Sequence, residues 1–137
     1  MDIQNAVYPT PERIAALAGD TAREPAVMLN LLKFRDRAAY ADGRASALTG
    51  REAYALYGAG MKAVGEREGG RVIFAGQAKG LVIGEMAALW DAVAVVEYPS
   101  AADFVRIVTL PEVMALAVHR EAGLEGQILI RVAAAEI

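Results

Sequence analysis

Two segments of the sequence are apolar at most positions, and they limit the possible folds more than any other feature. One covers residues 26–34 and the other covers residues 90–98. Each is too short for a long helix, and each is followed by polar or turn-forming sequence. Both segments carry apolar residues at both parities, a pattern expected of strands in a sheet that is buried on both faces. We therefore predict that these two strands are central in a sheet whose two faces are both covered.

Helix signals lie before and between these strands. Pro11 and Gly19 are the expected start and end of a short leading helix. Thr49 and Glu52 form a capping-box pattern that predicts the start of a longer helix, which ends at the glycine pair that follows residue 68. Its inward face carries residues spaced by three and four: Tyr54, Tyr57, Met61 and Val64. Gly58, Gly60 and Gly65 interrupt this helix, so we expect either a close approach to the sheet or room for a ligand beside the tyrosines.

The second half of the chain repeats the alternation of strands and helices. Residues 71–78 are predicted as a strand, with a bulge or bend at Lys79 and Gly80, and residues 127–132 as the last strand. Ser100 is the predicted N-cap of a short helix, and a second helical segment begins at residue 111. Gly123 is predicted to end that segment in a left-handed conformation. The segment between residues 35 and 50 shows no periodicity and is long enough to be a lid over a site.

The order of these elements predicts an α+β protein with the ferredoxin-like βαββαβ arrangement and an extra N-terminal helix. In this arrangement a four-stranded antiparallel sheet carries its helices on one face. We expect a single domain over residues 1–137, with an N-terminal extension over residues 1–25 and the ferredoxin-like core over residues 26–132. The other sheet face has no cover within the chain, so a second copy packed against it is the simplest way to bury it. We therefore predict a homodimer.

The composition narrows the possible partners and cofactors. Of the 137 residues, 55% are apolar and 23% are charged, and the net charge is −3. No stretch combines clustered lysines with aromatics, so nucleic acid is not an expected partner. The sequence has no cysteine and one histidine, so we expect no metal site and no cofactor, and haem bound through His119 is the alternative left open. We expect neither a signal peptide nor a membrane contact, and a cytoplasmic location.

Several short motifs occur in order along the chain: Asn30-Leu31-Leu32-Lys33-Phe34, Tyr54 and Tyr57, Gly69-Gly70-Arg71, Trp90, Val96-Glu97-Tyr98-Pro99-Ser100, Phe104, Pro111-Glu112 and Arg120. In these motifs the chain resembles the family labelled domain of unknown function 1330, within the dimeric α+β barrel superfamily. The resemblance covers residues 26–132 and implies the dimeric α+β barrel fold. That family has no assigned reaction. Proteins of similar fold include cofactor-free monooxygenases, lactone isomerases, haem-binding proteins and dimers without known catalysis, which is an analogy and not evidence of function.

Arg120 is the first candidate for chemistry. It shares the inward face of its helix with Val113 and Leu116, where a guanidinium can hold a carboxylate or stabilise an enolate-like anion. The alternative is a structural salt bridge to Glu97 or Glu112. Asn30 lies in the middle of an apolar strand, so its amide requires a partner, which is a ligand, the backbone or a tyrosine.

Further candidates follow from residue type and position. His119 is the only histidine and suits proton transfer, although it neighbours Arg120 on a helix and so points about 100° away from it. Tyr54 is a candidate proton donor and Tyr57 a ligand-binding residue, with packing in the core as the alternative for both. Trp90 is a candidate wall of an aromatic pocket, and Lys33 a candidate ligand-binding residue on a face that the sequence leaves undecided.

No motif singles out one reaction, and two hypotheses of function follow. In the first, a pocket between the sheet and the tyrosine-bearing helix binds a small apolar or aromatic compound with a carbonyl or carboxylate group. Such a protein would be a cofactor-free monooxygenase or isomerase if it is an enzyme. In the second, the chain is a non-catalytic binding or assembly module, and its polar residues satisfy one another across the core.

Overall fold

The computed structural model describes residues 3–137, which form four helices and four strands. The elements in chain order are α1 (Pro11–Ala18), β1 (Ala26–Phe34), α2 (Gly50–Arg67), β2 (Arg71–Gln77), β3 (Ala92–Tyr98), α3 (Ala101–Val108), α4 (Pro111–Gly123) and β4 (Leu124–Val132). The first strand and the capping box of Thr49 and Glu52 at the start of α2 are both as predicted from the sequence. The leading helix α1 is also confirmed, with Thr10 as its N-cap.

The four strands form one antiparallel sheet in the order β2-β3-β1-β4. This order is that of the ferredoxin-like fold, so the predicted fold class is confirmed. Asn30 lies opposite Ala94 of β3 and Leu129 of β4, near the middle of the sheet. The polar positions of β1 are therefore flanked on both sides by hydrogen-bonded strands.

The helices cover one face of the sheet. Met28 of β1, Tyr98 of β3, Val64 of α2, and Phe104 and Ile107 of α3 belong to one buried apolar cluster. Because side chains alternate along a strand, Met28, Asn30 and Leu32 share this helix-covered face. Any site that uses Asn30 must therefore lie between the sheet and the helix layer.

The opposite face of the sheet carries apolar side chains that no element of residues 3–137 covers. Phe74 of β2 is 60% exposed and Ile130 of β4 is 45% exposed. The register places them in line with Leu29 and Val95 of the central strands, which are partly buried. The other members of this outer sheet face are Val27, Leu31, Val93, Ile128 and Val132.

The first turn of α2 and the last turn of α4 cross with their backbones in contact. A methyl group added at Gly50 would lie 2.7 Å from the Gly123 carbonyl oxygen, and one added at Gly123 would lie 2.4 Å from the Gly50 carbonyl oxygen. Both positions therefore require glycine. Gly123 does not adopt the left-handed conformation predicted for it, and β4 begins directly at Leu124. The prediction that the last strand starts at residue 127 is wrong, because β4 follows α4 without a turn between them.

The glycines inside α2 have two different surroundings. At Gly60 an added methyl group would lie 2.6 Å from Leu116 Cδ1, so this glycine permits close packing against α4. At Gly58 and Gly65 nothing lies within 4 Å of such a methyl group. The close approach expected from the sequence is therefore made to α4 and not to the sheet, and Gly58 borders open space.

The segment of residues 35–49 packs against the helices along much of its length. Tyr40 is 9% exposed and clusters with Ala53 of α2 and Ala122 of α4. The Ala39 N–H donates to the Ala122 carbonyl over 2.9 Å, and the Ala38 N–H donates to the Leu48 carbonyl over 3.0 Å. These contacts are those of an anchored connection and differ from those of a free lid.

The connection between β2 and β3 is longer than the predicted hairpin, because residues 78–91 form no regular structure. The bulge predicted at Lys79 and Gly80 lies instead between Val72 and Phe74. Val82 and Ile83 at the tip of this connection are 95% and 91% exposed. An apolar loop tip gives no alternating pattern, so the sequence offered no signal to separate it from the strands.

None of the helices within residues 3–137 combines the length and the apolar character that crossing a membrane requires.

Candidate functional site

A chain of polar side chains runs from the centre of the sheet to Arg120. Asn30 Nδ2 donates to the carbonyl oxygens of Ala94, over 3.1 Å, and Met28, over 3.3 Å. Gln127 Nε2 donates to Asn30 Oδ1 over 2.6 Å, and Arg120 Nη2 donates to Gln127 Oε1. These partners determine which end of each side-chain amide is the oxygen and which is the nitrogen. The chain connects the backbone of β1 and β3 to the guanidinium of α4.

The segment of residues 5–8 lies against this guanidinium. Ala6 forms a bridge with Gln127 through two backbone hydrogen bonds of 2.8 and 3.1 Å. The Val7 carbonyl accepts from Arg120 Nη2, and the Arg120 guanidinium carbon lies 5.3 Å from the centre of the Tyr8 ring. The Tyr8 hydroxyl donates to Glu121 over 2.6 Å. The N-terminal segment therefore helps to fix Arg120 in place.

Arg120 makes no ion pair with any residue of the described chain. The carboxylates proposed as its partners pair elsewhere: Glu97 with Arg71 over 3.1 Å, and Glu112 with Arg67. The expectation of a salt bridge to Glu97 or Glu112 is therefore wrong. Within residues 3–137 only Nη2 of Arg120 donates, and it does so to two neutral oxygens. Nε and Nη1 keep three of the five N–H donors of the guanidinium without a protein acceptor.

Tyr54 and Tyr57 lie near Arg120 and are partly buried. The two ring centres are 5.5 Å apart, and the Tyr54 ring also packs on Phe34 at 5.3 Å. Burial raises the pKa of both phenols, and the charge of Arg120 opposes that rise in each. Both phenols stay protonated at neutral pH and act as neutral donors beside a cation.

Asn30 differs from these residues because its amide is fully used within the protein. Both N–H groups donate to backbone carbonyls, and the oxygen accepts from Gln127. This arrangement favours the structural alternative for Asn30, in which it orients the residues above it.

His119 lies apart from the Arg120 chain. Its Nδ1 is 2.8 Å from the Tyr40 hydroxyl, and the two rings meet edge to face at 5.6 Å. Adjacent positions on a helix point in different directions, and here His119 faces the connection of residues 35–49 while Arg120 faces β4. The structure therefore separates the two candidates.

Lys33 and Trp90 also lie away from the tyrosines. Lys33 alternates with Asn30 and so lies on the outer sheet face, where its Nζ donates to Asp91 and to the Leu89 carbonyl, both over 3.2 Å. Trp90 is partly buried in the connection that leads into β3. Lys33 is therefore on the opposite side of the sheet from Arg120.

Two open depressions of the surface lie elsewhere. One of 520 Å³ is lined by Asp20, Arg23 and Asp103, and one of 470 Å³ is lined by Tyr8, Met114 and Glu121. Neither includes Tyr54 or Tyr57. Within residues 3–137, no cluster of histidine and acidic side chains has the arrangement of a metal site.

The sequence did not point to Gln127, Val7 or Tyr8. Gln127 appears as an ordinary polar position of a strand, and Val7 contributes only its carbonyl group. One signal was available: an asparagine in the middle of an apolar strand needs a hydrogen-bond partner, and a polar side chain of another element can supply it.

These features define a class, which is an α+β protein with a ferredoxin-like sheet and a partly buried arginine held by neutral partners. The chain is similar to the RPA0582 protein of Rhodopseudomonas palustris, a protein of unknown function. The crystal structure of that protein has a TM-score of 0.86 and 38% identity, covering 98% of this chain and 100% of that chain. The crystal structure of methylated RPA0582 protein gives a TM-score of 0.87 and 40% identity over 98% of both chains.

The identity and coverage place this chain in the same family as the RPA0582 protein. It matches no protein-family model. No curated protein matches it closely enough to count as a relative.

Proposed function

We propose that this protein binds a small apolar or aromatic compound bearing a carboxylate or carbonyl group beside Arg120, Tyr54 and Tyr57. The observation that carries the proposal is the guanidinium of Arg120, whose charge meets no carboxylate among residues 3–137. A partly buried cation with unused donors is well suited to an anionic ligand.

The rings of Tyr54 and Tyr57 favour an apolar ligand body. Their centres lie 5.5 Å apart, so they form one continuous aromatic surface next to the charge. Phe34 extends that surface at 5.3 Å from Tyr54. A flat or aromatic group can pack there while its carboxylate reaches Arg120.

If the protein is an enzyme, its reaction is the cofactor-free kind, an isomerisation or an oxygenation. Arg120 would stabilise the negative charge that develops on a bound carbonyl oxygen, and Tyr54 would donate to that oxygen as a neutral acid. Burial keeps the pKa of Tyr54 above that of a free phenol, so it serves as an acid rather than as a base at neutral pH. His119, which bonds to Tyr40, is a poorer candidate for this step.

The proposal includes a homodimer of the dimeric α+β barrel type, as the resemblance to the family of domain of unknown function 1330 implies. The outer sheet face supports it, since its apolar side chains lie between two ion pairs, Arg71 with Glu97 and Lys33 with Asp91. An apolar centre with a polar rim is the usual composition of a protein interface.

The non-catalytic assembly module is the less favoured reading. It predicted that the polar residues satisfy one another, with Arg120 closed by a carboxylate. Asn30 and Gln127 do satisfy each other, but Arg120 has no carboxylate partner among residues 3–137.

Titration with phenylacetate, an apolar aromatic acid, tests the proposal. We expect the wild-type protein to bind it and Arg120→Gln to lose at least about tenfold in affinity, because charge-assisted hydrogen bonds are lost. Arg120→Lys keeps the positive charge but loses the paired N–H donors of the guanidinium. Its affinity should therefore lie between those of the wild-type protein and Arg120→Gln. Arg13→Gln, the same change at an exposed position of α1, is the control. Equal affinities of Arg120→Gln and Arg13→Gln, or no binding to the wild-type protein at about 10 mM, would contradict the proposal.

A further inference from the structure

The depression of 470 Å³ beside α4 has no part in the proposed function. One side of it is a single face of α4, because Met114, Val118 and Glu121 recur at spacings of four and three. Tyr8 lies on another side, and Met114 and Tyr8 are 62% and 54% exposed. The remaining lining residues are Val108, Thr109 and Ala117. All of the lining side chains except those of Thr109 and Glu121 are apolar or aromatic, which suits a ligand with an apolar body.

The two polar side chains of this depression differ in what they offer to a ligand. The Thr109 hydroxyl donates to the Val105 carbonyl over 2.7 Å, so its proton is already used at the end of α3. The Glu121 carboxylate accepts from the Tyr8 hydroxyl over 2.6 Å, and this bond reaches only Oε2. Because an ionised carboxylate accepts through both oxygens, Oε1 of Glu121 keeps its capacity for a donor.

Glu121 differs from every other acidic residue within residues 3–137, because it alone is both partly buried and outside any ion pair. The other acidic residues without an ion pair are exposed: Glu12, Asp36, Glu52, Glu66, Glu85, Glu125 and Glu136. Arg120, its neighbour in the sequence, donates instead to the Val7 carbonyl and to Gln127.

The charge of Glu121 determines which ligand the depression suits. A carboxylate that has lost part of its hydration is stabilised by a cation, and hydrogen bonds between charged groups are stronger than those between neutral ones. An apolar depression with one such carboxylate on its wall is complementary to a positive charge attached to an apolar body.

We propose that this depression is a binding site for a small organic ammonium ion with an apolar body, such as an arylalkylamine. The ammonium group donates to Glu121, and the apolar body lies along Met114, Ala117 and Val118. Neither Arg120 nor the tyrosines of α2 line the depression, so the inference does not rest on the proposed function.

2-Phenylethylamine and 2-phenylethanol test this inference, because they share one apolar body and only the amine is charged at neutral pH. The NMR signal of the Met114 methyl group reports binding at this place, and Met114→Leu identifies that signal by its loss. We expect the amine to shift the signal and to bind about fivefold more tightly than the alcohol, the strength of a partly exposed ion pair.

Glu121→Gln removes the charge and keeps the shape of the side chain, and its amide oxygen can still accept from the Tyr8 hydroxyl. The ratio of the two affinities should therefore fall towards one, while the affinity for the alcohol stays unchanged. Glu12→Gln, the same change at an exposed position of α1, is the matched control and should leave the ratio unchanged.

Three results would overturn the inference. The first is a ratio in Glu121→Gln equal to that of the wild-type protein and Glu12→Gln. The second is a shift of other methionine signals while the Met114 signal stays in place, because the amine then binds elsewhere. The third is equal affinity of the wild-type protein for amine and alcohol, or no binding of the amine at about 10 mM, which would leave the depression to a neutral ligand or to another protein.

Discussion

At the scale of single residues, the orientation of Arg120 is set by two amides. The backbone carbonyls of Met28 and Ala94 accept from Asn30, which turns its oxygen towards Gln127. Gln127 donates to that oxygen and so turns its own oxygen towards Arg120. The direction of each hydrogen bond is fixed by the one before it. The guanidinium is thereby held without a carboxylate partner among residues 3–137.

Two glycines of α2 allow a matched test of packing at single positions. Gly58→Ala should stabilise the protein by about 0.5 to 1 kcal/mol, because alanine is the better helix former and an added methyl group meets nothing within 4 Å. Gly60→Ala gains the same helix propensity but must displace Leu116. We therefore expect it to be less stable than Gly58→Ala in urea unfolding. Equal gains at both positions would show that α4 does not pack against Gly60 as described.

The candidate residues show how far a sequence can specify a site. Tyr54 and Tyr57 share one face of α2, as the helical spacing predicts, and their ring centres are 5.5 Å apart. The partners of Arg120 could not be predicted, because Gln127 and the Val7 carbonyl reach it only through strand register and chain path. Sequence reasoning assumed that a cation seeks a carboxylate. Here the nearby carboxylates are taken by other arginines at the surface.

At the scale of elements, the N-terminal segment of residues 5–8 acts as a short addition to the edge of β4. Asn5 lies over Gly126, where a methyl group would meet its side-chain oxygen at 2.2 Å, and Ala6 bridges Gln127. Residues 5–8 carry no periodic pattern, so their position near the site could not be predicted from the sequence. Its contacts make it part of the support of Arg120.

Variants of Tyr8 test this support. Tyr8→Ala removes the ring over the guanidinium and should cost about 1 kcal/mol of stability, the usual strength of an exposed cation–π contact with some packing. The Arg120 Nε–H proton should also exchange faster with water, as measured by proton NMR, because the Tyr8 ring no longer shields it from solvent. Tyr8→Phe keeps the ring and loses only the bond to Glu121, so it should leave that exchange rate near the wild-type value. Unchanged exchange in Tyr8→Ala would mean that the segment does not shield Arg120.

The elements themselves were predicted where a local signal exists. The capping box, the N-cap at Ser100 and the first strand are local features, and each appears where the sequence places it. The direct passage from α4 to β4 is different, because it depends on the contact between Gly50 and Gly123, which are far apart in the sequence. The bulge in β2 is likewise set by pairing with β3. Non-local contacts of this kind leave no local pattern to detect.

At the scale of the whole molecule, the two faces of the sheet have different environments although their sequences are similarly apolar. One face is buried under helices, while Phe74, Ile130 and Val132 remain 60%, 45% and 37% exposed on the other. A monomer would leave this apolar surface in water, which is unfavourable at about 25 cal/mol for each Å². The sequence pattern predicted a sheet that is buried on both faces. Within residues 3–137, no element covers the second face.

The mass of the protein in solution tests the predicted dimer. We expect sedimentation equilibrium at micromolar concentration to give about twice the chain mass of 14.5 kDa, since two outer sheet faces bury each other. Val95→Asp puts a charge at the centre of that face and should lower the mass towards that of one chain or make the protein insoluble. Ala63→Asp, the same kind of change on the exposed side of α2, should leave the mass unchanged. A wild-type mass of one chain would rule out the dimer, and the outer face would then have to bind a different partner.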